Sequence, residues 1–141
     1  MDQVIALAFF IPLLLGTGGN VGSQITTTLV RAMAVERLTF TDLRWIVNRE
    51  ILVGFLISLI IAAIAFLRAI MLDVGMDVGL VVAITVAAIC VWASLVSAVL
   101  PFTIRKFGYD PTVISAPFIT TLVDGTGLVI YFMVAKWVLG L

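Results

Sequence analysis

Asp124 stands in the middle of an apolar run that opens at Thr112 and closes near Val138. Twelve helical positions past Thr112 place it ~18 Å from the start of that run, close to mid-membrane. A carboxylate at such depth costs ~2.5 to 3.5 kcal/mol on insertion scales, and acids found there usually face a bundle interior or a watery cavity and mark an ion pathway. The alternatives are an acid kept protonated, or one paired with another helix for structure. Arg31 is the nearest candidate partner, but it closes the first apolar run at the membrane surface. On the helical face of Asp124, three, four and seven positions away, stand Pro117, Thr120, Thr121, Gly127, Leu128 and Tyr131. Thr120, Asp124 and Gly127 would leave room for water and expose backbone carbonyls, as a hard, hydrated cation requires. Close helix packing explains the Gly and Thr residues equally well.

A second anomaly lies in the first apolar run: Gly16-Thr17-Gly18-Gly19-Asn20-Val21-Gly22-Ser23-Gln24, followed by Thr26, Thr27 and Thr28. Glycines at that density permit local unwinding or very close backbone approach, tolerated at membrane depth only where the backbone lines a cavity or is buried in protein. Packing alone accounts for the glycines but not for Asn20 and Gln24, which stand one turn apart and share a side. A pore-lining role for Gly16, Asn20, Gln24 and Thr28 follows as the expectation.

The elements that must carry these residues are membrane helices. The chain has 141 residues, 63% of them hydrophobic and only 11% charged, with a mean hydropathy of +1.30. Eight acids and eight bases cannot cover the surface of a water-soluble domain of this size, so the remainder must face lipid. Four spans are expected, at about 4–30, 51–67, 78–104 and 112–138, in a single transmembrane pore domain over 1–141; the fold class is an all-α, polytopic membrane bundle. With zero net charge and no basic stripe, a nucleic-acid partner is excluded. Met1 to Gln3 carries Asp2 and no base, unlike the start of a secretory signal, so the first segment reads as a retained span. Cys90, the single cysteine, reads as a small buried hydrophobe.

Between the first two spans lies a charged connector with Arg37, Arg44 and Arg49 beside Glu36, Asp42 and Glu50. Thr41 and Asp42 offer N-caps, and Leu43, Ile46, Val47 and Ile51 recur at helical spacing, so 42–50 leads amphipathically into the second span, with Trp45 as an interfacial anchor. Arg31, Arg37, Arg44 and Arg49 flank this connector and Arg105 and Lys106 the last one, against Arg68 alone in the middle turn. The positive-inside rule then places connectors 31–50 and 105–111 in the cytoplasm and both termini outside, in a multi-pass cell (inner/plasma) membrane protein; Lys136 dissents, although its stem can snorkel. Pro101, Pro111 and Pro117 mark kinks or helix starts. Asp110 caps a helix begun by Pro111, a role compatible with cation binding at the cytoplasmic mouth.

Two long stretches carry a resemblance. Pro12-Leu13-Leu14-Leu15-Gly16-Thr17-Gly18-Gly19-Asn20-Val21-Gly22-Ser23-Gln24, with Arg31-Ala32 beyond it, resembles the second transmembrane helix of the MgtE magnesium channels. Gly108-Tyr109-Asp110-Pro111, Ser115-Ala116-Pro117 and Thr121-Leu122-Val123-Asp124-Gly125-Thr126-Gly127 resemble the fifth. The resemblance implies family helices two to five, the first lacking, and a homodimer whose pore lies on the two-fold axis between the helices of 4–30 and 112–138. It implies that Asp124 holds a hydrated Mg2+, that Thr120 and Gly127 contribute to that metal site, that Ala116 and Asn20 line the pore, and that Asp110 is an acid at the cytoplasmic entrance. Pro117 and Tyr131, on the Asp124 face, join the expected lining. At 116 and 120 the chain departs from the family's asparagine and alanine, which bears on ion preference more than on ion passage. Typical members also carry an amino-terminal cytoplasmic domain and paired CBS domains, so the expectation is a fragment, a natural short homologue, or half of a split system with a separate regulatory chain.

A two-fold axis would bring two Asp124 side chains together. Magnesium dehydrates reluctantly and binds through one or two carboxylates while keeping several waters, which such a site suits; Mn2+, Co2+, Ni2+ and Ca2+ are not excluded by carboxylate and water ligands. The chief rival is an ion-coupled secondary transporter of divalent cations, which also uses mid-membrane acids and broken helices. An aspartate-dyad enzyme is not expected: fourteen helical positions hold Asp110 and Asp124 ~20 Å apart on one chain segment. A structural assembly subunit is the blandest reading.

Overall fold

The computed structural model describes residues 3–35, 38–114 and 116–140; Asp2, Glu36, Arg37 and Ser115 of the sequence reading lie outside them. The elements are α1 (Gln3–Ala8), α2 (Ile11–Val35), α3 (Leu43–Met71), α4 (Met76–Lys106), a 3₁₀ turn (Pro111–Val113) and α5 (Ala116–Leu139). There is no strand among the described residues. Four helical stretches, Ile5–Val35, Leu43–Met71, Met76–Lys106 and Ala116–Leu139, are long and apolar enough to cross a membrane. The all-helical, four-span expectation therefore holds.

Prolines decide where these helices start. In an unbroken helix the ring of Pro12 would press on the carbonyl of Ala8, and Pro12 has no N–H to bond it. The chain instead turns at Phe9 and Phe10, whose N–H groups reach three residues back to the carbonyls of Ala6 and Leu7 at 3.2 and 3.1 Å. The first expected span is thus a short α1 and a long α2. The same reasoning corrects the start of the last span. Pro117 would collide with the carbonyl of Val113 in a helix begun at Pro111, so Pro111–Val113 closes as a separate 3₁₀ turn and α5 begins at Ala116, with Pro117 in its first turn, where no N–H is needed. Pro101 lies inside α4. It leaves the Ser97 carbonyl without its helical donor, and the hydroxyl of Thr26 on α2 donates to that carbonyl at 3.4 Å, the kind of repair that lets membrane helices hold proline.

α4 is the central helix. Its buried positions run from Val78 to Phe102 and face every neighbour. α2 and α5 pack on each other and on α4, while α3 packs chiefly on α4. Small residues set the closest approaches. Gly54 of α3 fits against Ser94 and the Cys90 carbonyl, Gly79 against Phe66 and Ala69, and Gly18 and Gly22 of α2 against Ile89, Ser97, Ile119 and Val123. Cys90 is buried and free, as its apolar surroundings suggested. The outer face of α3 exposes Leu52, Phe55, Leu56, Leu59, Ile60, Ile64 and Leu67. A helix apolar around its whole circumference with one face on α4 needs a hydrocarbon solvent for the rest.

The amphipathic lead into the second span is realised as one helix, α3, beginning at Leu43. Asp42 occupies the cap position but does not cap. It has helical dihedrals (φ −81°, ψ −18°), and its Oδ2 turns back to accept from the Thr39 N–H and hydroxyl, both at 2.9 Å. These bonds hold its carboxyl below the usual carboxylate range. The Arg105 guanidinium donates to the Leu38 carbonyl at 2.7 Å, and Phe40 meets Phe102 edge-on at 6.0 Å, so this connector is clamped to the end of α4. Trp45 is exposed, with the Arg49 guanidinium 5.6 Å over its ring.

Candidate cation site

The glycine-rich stretch does not unwind: α2 is continuous from Ile11 to Val35. Of the two conformations that those glycines permit, the fold uses close approach, and the glycines divide by face. Gly18 and Gly22 turn into the bundle, Gly19 faces α5, and Gly16 has open space around it. Asn20, Gln24, Thr27 and Thr28 are exposed. Ser23, Gln24, Thr27 and Thr28 line one shallow recess, and Pro12, Leu13, Gly16, Thr17, Asn20 and Gln24 line another that reaches Ile57 and Ile61 of α3. A polar face more than three turns long is therefore left open on a helix otherwise wrapped in apolar contacts.

Asp124 sits at the edge of that face. It is the ninth residue of α5, so ~12 Å of helix precede it, less than the sequence count from Thr112 implied. It is half-buried. Its Oδ1 is sealed from solvent and has no hydrogen-bond partner, and what seals it is α2: a Cβ built on Gly19 would stand 2.8 Å from Oδ1 and 2.8 Å from the Thr120 methyl. One turn before Asp124, the Thr120 hydroxyl donates to the Gly19 carbonyl at 3.5 Å, the long limit of such a bond. Two residues beyond Asp124, Thr126 accepts from the Trp92 indole N–H of α4 at 2.8 Å and returns its own proton to the Leu122 carbonyl at 2.7 Å. α5 is thus held by α2 and α4 on either side of the acid. Among the described residues no cluster of three or more His, Cys, Asp or Glu could hold a metal.

The remaining sequence candidates are placed as follows. Ala116 is half-buried and Pro117 exposed in the first turn of α5. Asp110 is exposed at the end of the bundle, where it shares a small recess with Val30, Met33 and Ala34 of α2 and with Arg105. Its Oδ1 accepts from the Thr112 N–H at 2.9 Å, which holds its carboxyl below the ordinary range; it caps the 3₁₀ turn and not the long helix. Two candidates do not join the open face. Gly127 is buried with Ile89 at 3.3 Å from a built Cβ, and Tyr131 is buried with its hydroxyl donating to the Leu7 carbonyl at 2.8 Å. Helical spacing put both on the Asp124 stripe, but the stripe curves across the α5 surface and α1 and α4 cover its far half.

Sequence reasoning missed Gly19 as the residue against the acid. The seam announced close approach without saying which glycine meets which helix. Ser23 and Thr27, which the sequence places in the same polar seam without singling them out, also belong to the open face. The Trp92–Thr126 bond spans 34 residues and had no local signal.

The sequence profile described as "MgtE: Divalent cation transporter" matches residues 11–134. The chain is 40% identical over 141 residues to the magnesium transporter MgtE of Thermus thermophilus, covering 99% of this chain and 31% of that protein. It is 35% identical over 136 residues to the magnesium transporter MgtE of Enterococcus faecalis, covering 96% and 30%, and 29% identical over 139 residues to that of Bacillus subtilis, again 96% and 30%. The chain spans about a third of the length of these relatives. With the match extending from the start of α2 nearly to the end of α5, the chain belongs to the MgtE family of divalent cation transporters.

Proposed function

We propose that this chain forms, as a homodimer, the ion-conducting part of a divalent cation channel that passes Mg2+, with the ion path on the two-fold axis between α2 and α5 of each protomer. The observation that carries the reading is Asp124: an acid within a membrane-length helix, one oxygen sealed without a partner, at the margin of a polar face that is left open among the described residues. A lipid-facing surface gives no reason for Gly16, Asn20, Ser23, Gln24, Thr27 and Thr28 to lie together, whereas a water-filled passage does. Two protomers would set two Asp124 carboxyls across the axis, a site suited to an ion that keeps its water. Thr120 stands beside the acid, Ala116 and Pro117 continue the α5 wall, and Asp110 marks the mouth. Gly127 and Tyr131 serve packing. By the distribution of Lys and Arg, that mouth and connectors 31–50 and 105–111 are cytoplasmic and both termini are outside. The names of the relatives support magnesium as cargo; Mn2+, Co2+, Ni2+ and Ca2+ remain chemically admissible.

The test is divalent uptake by the chain reconstituted in proteoliposomes. Asp124→Asn is expected to reduce Mg2+ uptake at least ~10-fold while dimerisation and yield stay near wild type. Uptake unchanged by that substitution sinks the site. Uptake that runs only under an imposed proton or sodium gradient replaces the channel with a coupled transporter.

A further inference from the structure

The proposed ion path leaves one geometric feature unexplained, the sealing of half of the Asp124 carboxyl group. Oδ1 has neither accessible surface nor partner, yet the residue stays partly exposed and Oδ2 is not sealed in this way. The bare Cα of Gly19 lies against that oxygen. Real Cβ atoms do not approach other atoms as closely as 2.8 Å, so any other residue at 19 must displace both the Asp124 oxygen and the Thr120 methyl. The neighbouring glycines of α2 have other tasks: Gly18 and Gly22 accommodate Ile89, Ser97, Ile119 and Val123, and Gly16 touches nothing. Gly19 alone meets the acid, and the Thr120 hydroxyl on its carbonyl helps to hold it there.

We propose that Gly19 is a selectivity-determining residue of the Asp124 site. By lacking a side chain it lets α2 occupy one carboxyl oxygen, so that each protomer meets the cation with the other oxygen alone. A single oxygen serves an ion that retains most of its water and is recognised through that water, as Mg2+ is. Ca2+, which takes six to eight oxygens and readily uses a carboxylate in bidentate fashion, gains less from it. A side chain at 19 lifts the carboxyl group off α2 and frees both oxygens, removing that bias. The inference rests on Asp124 being the cation-facing acid and goes beyond it, since an acid with both oxygens free would pass ions equally well.

The experiment compares initial rates of Mg2+ and Ca2+ uptake in proteoliposomes, each over a concentration series, for the wild type and four variants. Gly19→Ala is expected to raise the Ca2+ to Mg2+ ratio of apparent kcat/KM several-fold. Gly19→Ala with Thr120→Ala, which gives the new methyl room between the helices, is expected to keep the altered ratio. Asp124→Glu, whose extra methylene carries both oxygens clear of an intact Gly19, is expected to shift the ratio the same way without disturbing helix packing. Equal loss of both ions in Gly19→Ala, with recovery of the wild-type rates when Thr120 is trimmed, would overturn the proposal and make Gly19 a packing residue; so would an unshifted ratio in Asp124→Glu. Asp124→Asn separates the two levels. If it passes both ions as the wild type does, the site itself falls; if it blocks them while the Gly19 and Asp124→Glu variants keep the wild-type ratio, only the selectivity role falls.

Discussion

The hydroxyl of Tyr131, near the far end of α5, donates to the carbonyl of Leu7 in α1 at 2.8 Å, across 124 positions of sequence and inside the bundle. α1 is only six residues long and is separated from α2 by the turn that Pro12 imposes, so this bond and the packing of Ala6, Leu7 and Phe10 fix its position. Tyr131→Phe keeps the ring and removes the donor. Thermal unfolding in detergent should show a loss of ~0.5–1.5 kcal/mol, amide exchange in residues 3–10 should quicken, and divalent uptake should persist. A fall in uptake at unchanged stability would instead return Tyr131 to the ion path.

Gly54 and Ser94 define how closely α3 can lie on α4. A Cβ at 54 would overlap the Ser94 hydroxyl oxygen and stand 3.3 Å from the Cys90 carbonyl, so Gly54→Ala should destabilise the chain by ~1–3 kcal/mol through overpacking. The Ser94 hydroxyl is buried without a partner; deleting it costs no bond and removes an unsatisfied polar atom. Ser94→Ala alone should therefore be neutral or stabilising, and combined with Gly54→Ala it should restore most of the loss. Denaturant or thermal unfolding of the four species closes this cycle, and full additivity would show that the two residues do not meet.

Asp110 predicts a pH dependence of known sign. The Thr112 N–H holds its carboxyl below the reference value of 3.8 in the folded chain, so the turn is fully supported above that value and loses this support only as pH falls through the lower, folded one. Protection of the Thr112 amide against exchange should be flat from neutral pH down to the ordinary carboxylate range and drop beneath it. Asp110→Asn keeps an acceptor for Thr112 but removes the charge. If Asp110 also serves the cytoplasmic mouth, that variant should lower divalent uptake while the turn persists; unchanged uptake would confine Asp110 to capping.

Much of the fold was legible because the determinants are local. Sustained apolar runs separated by charges gave four helices, and Leu43, Ile46, Val47 and Ile51 showed that the connector flows into α3. The last helix start was misplaced where two prolines compete: Pro111 offered a helix start and Pro117, six residues later, forbade the helix to run through it, so Asp110 caps a 3₁₀ turn, while Asp42 fails to cap because its carboxylate turns back to Thr39. Within the candidate site, Asp124, Thr120 and the exposed Asn20, Gln24 and Thr28 could be singled out by residue type. The burial of Gly127 and Tyr131 could not, because helical spacing orders residues around one helix and says nothing of which neighbour covers each arc.

What the sequence determined by itself was the solvent of this protein and the residue that solvent cannot tolerate. Hydropathy is a sum over residues, and an acid at depth is costly whatever surrounds it. Tertiary structure alone decided which glycine faces that acid, which oxygen is sealed, and that a hydroxyl of Thr26 would answer the carbonyl Pro101 left bare. Those outcomes depend on the register in which α2 lies against α4 and α5. That register is set by many small contacts from distant parts of the chain, none of which is a property of any single segment.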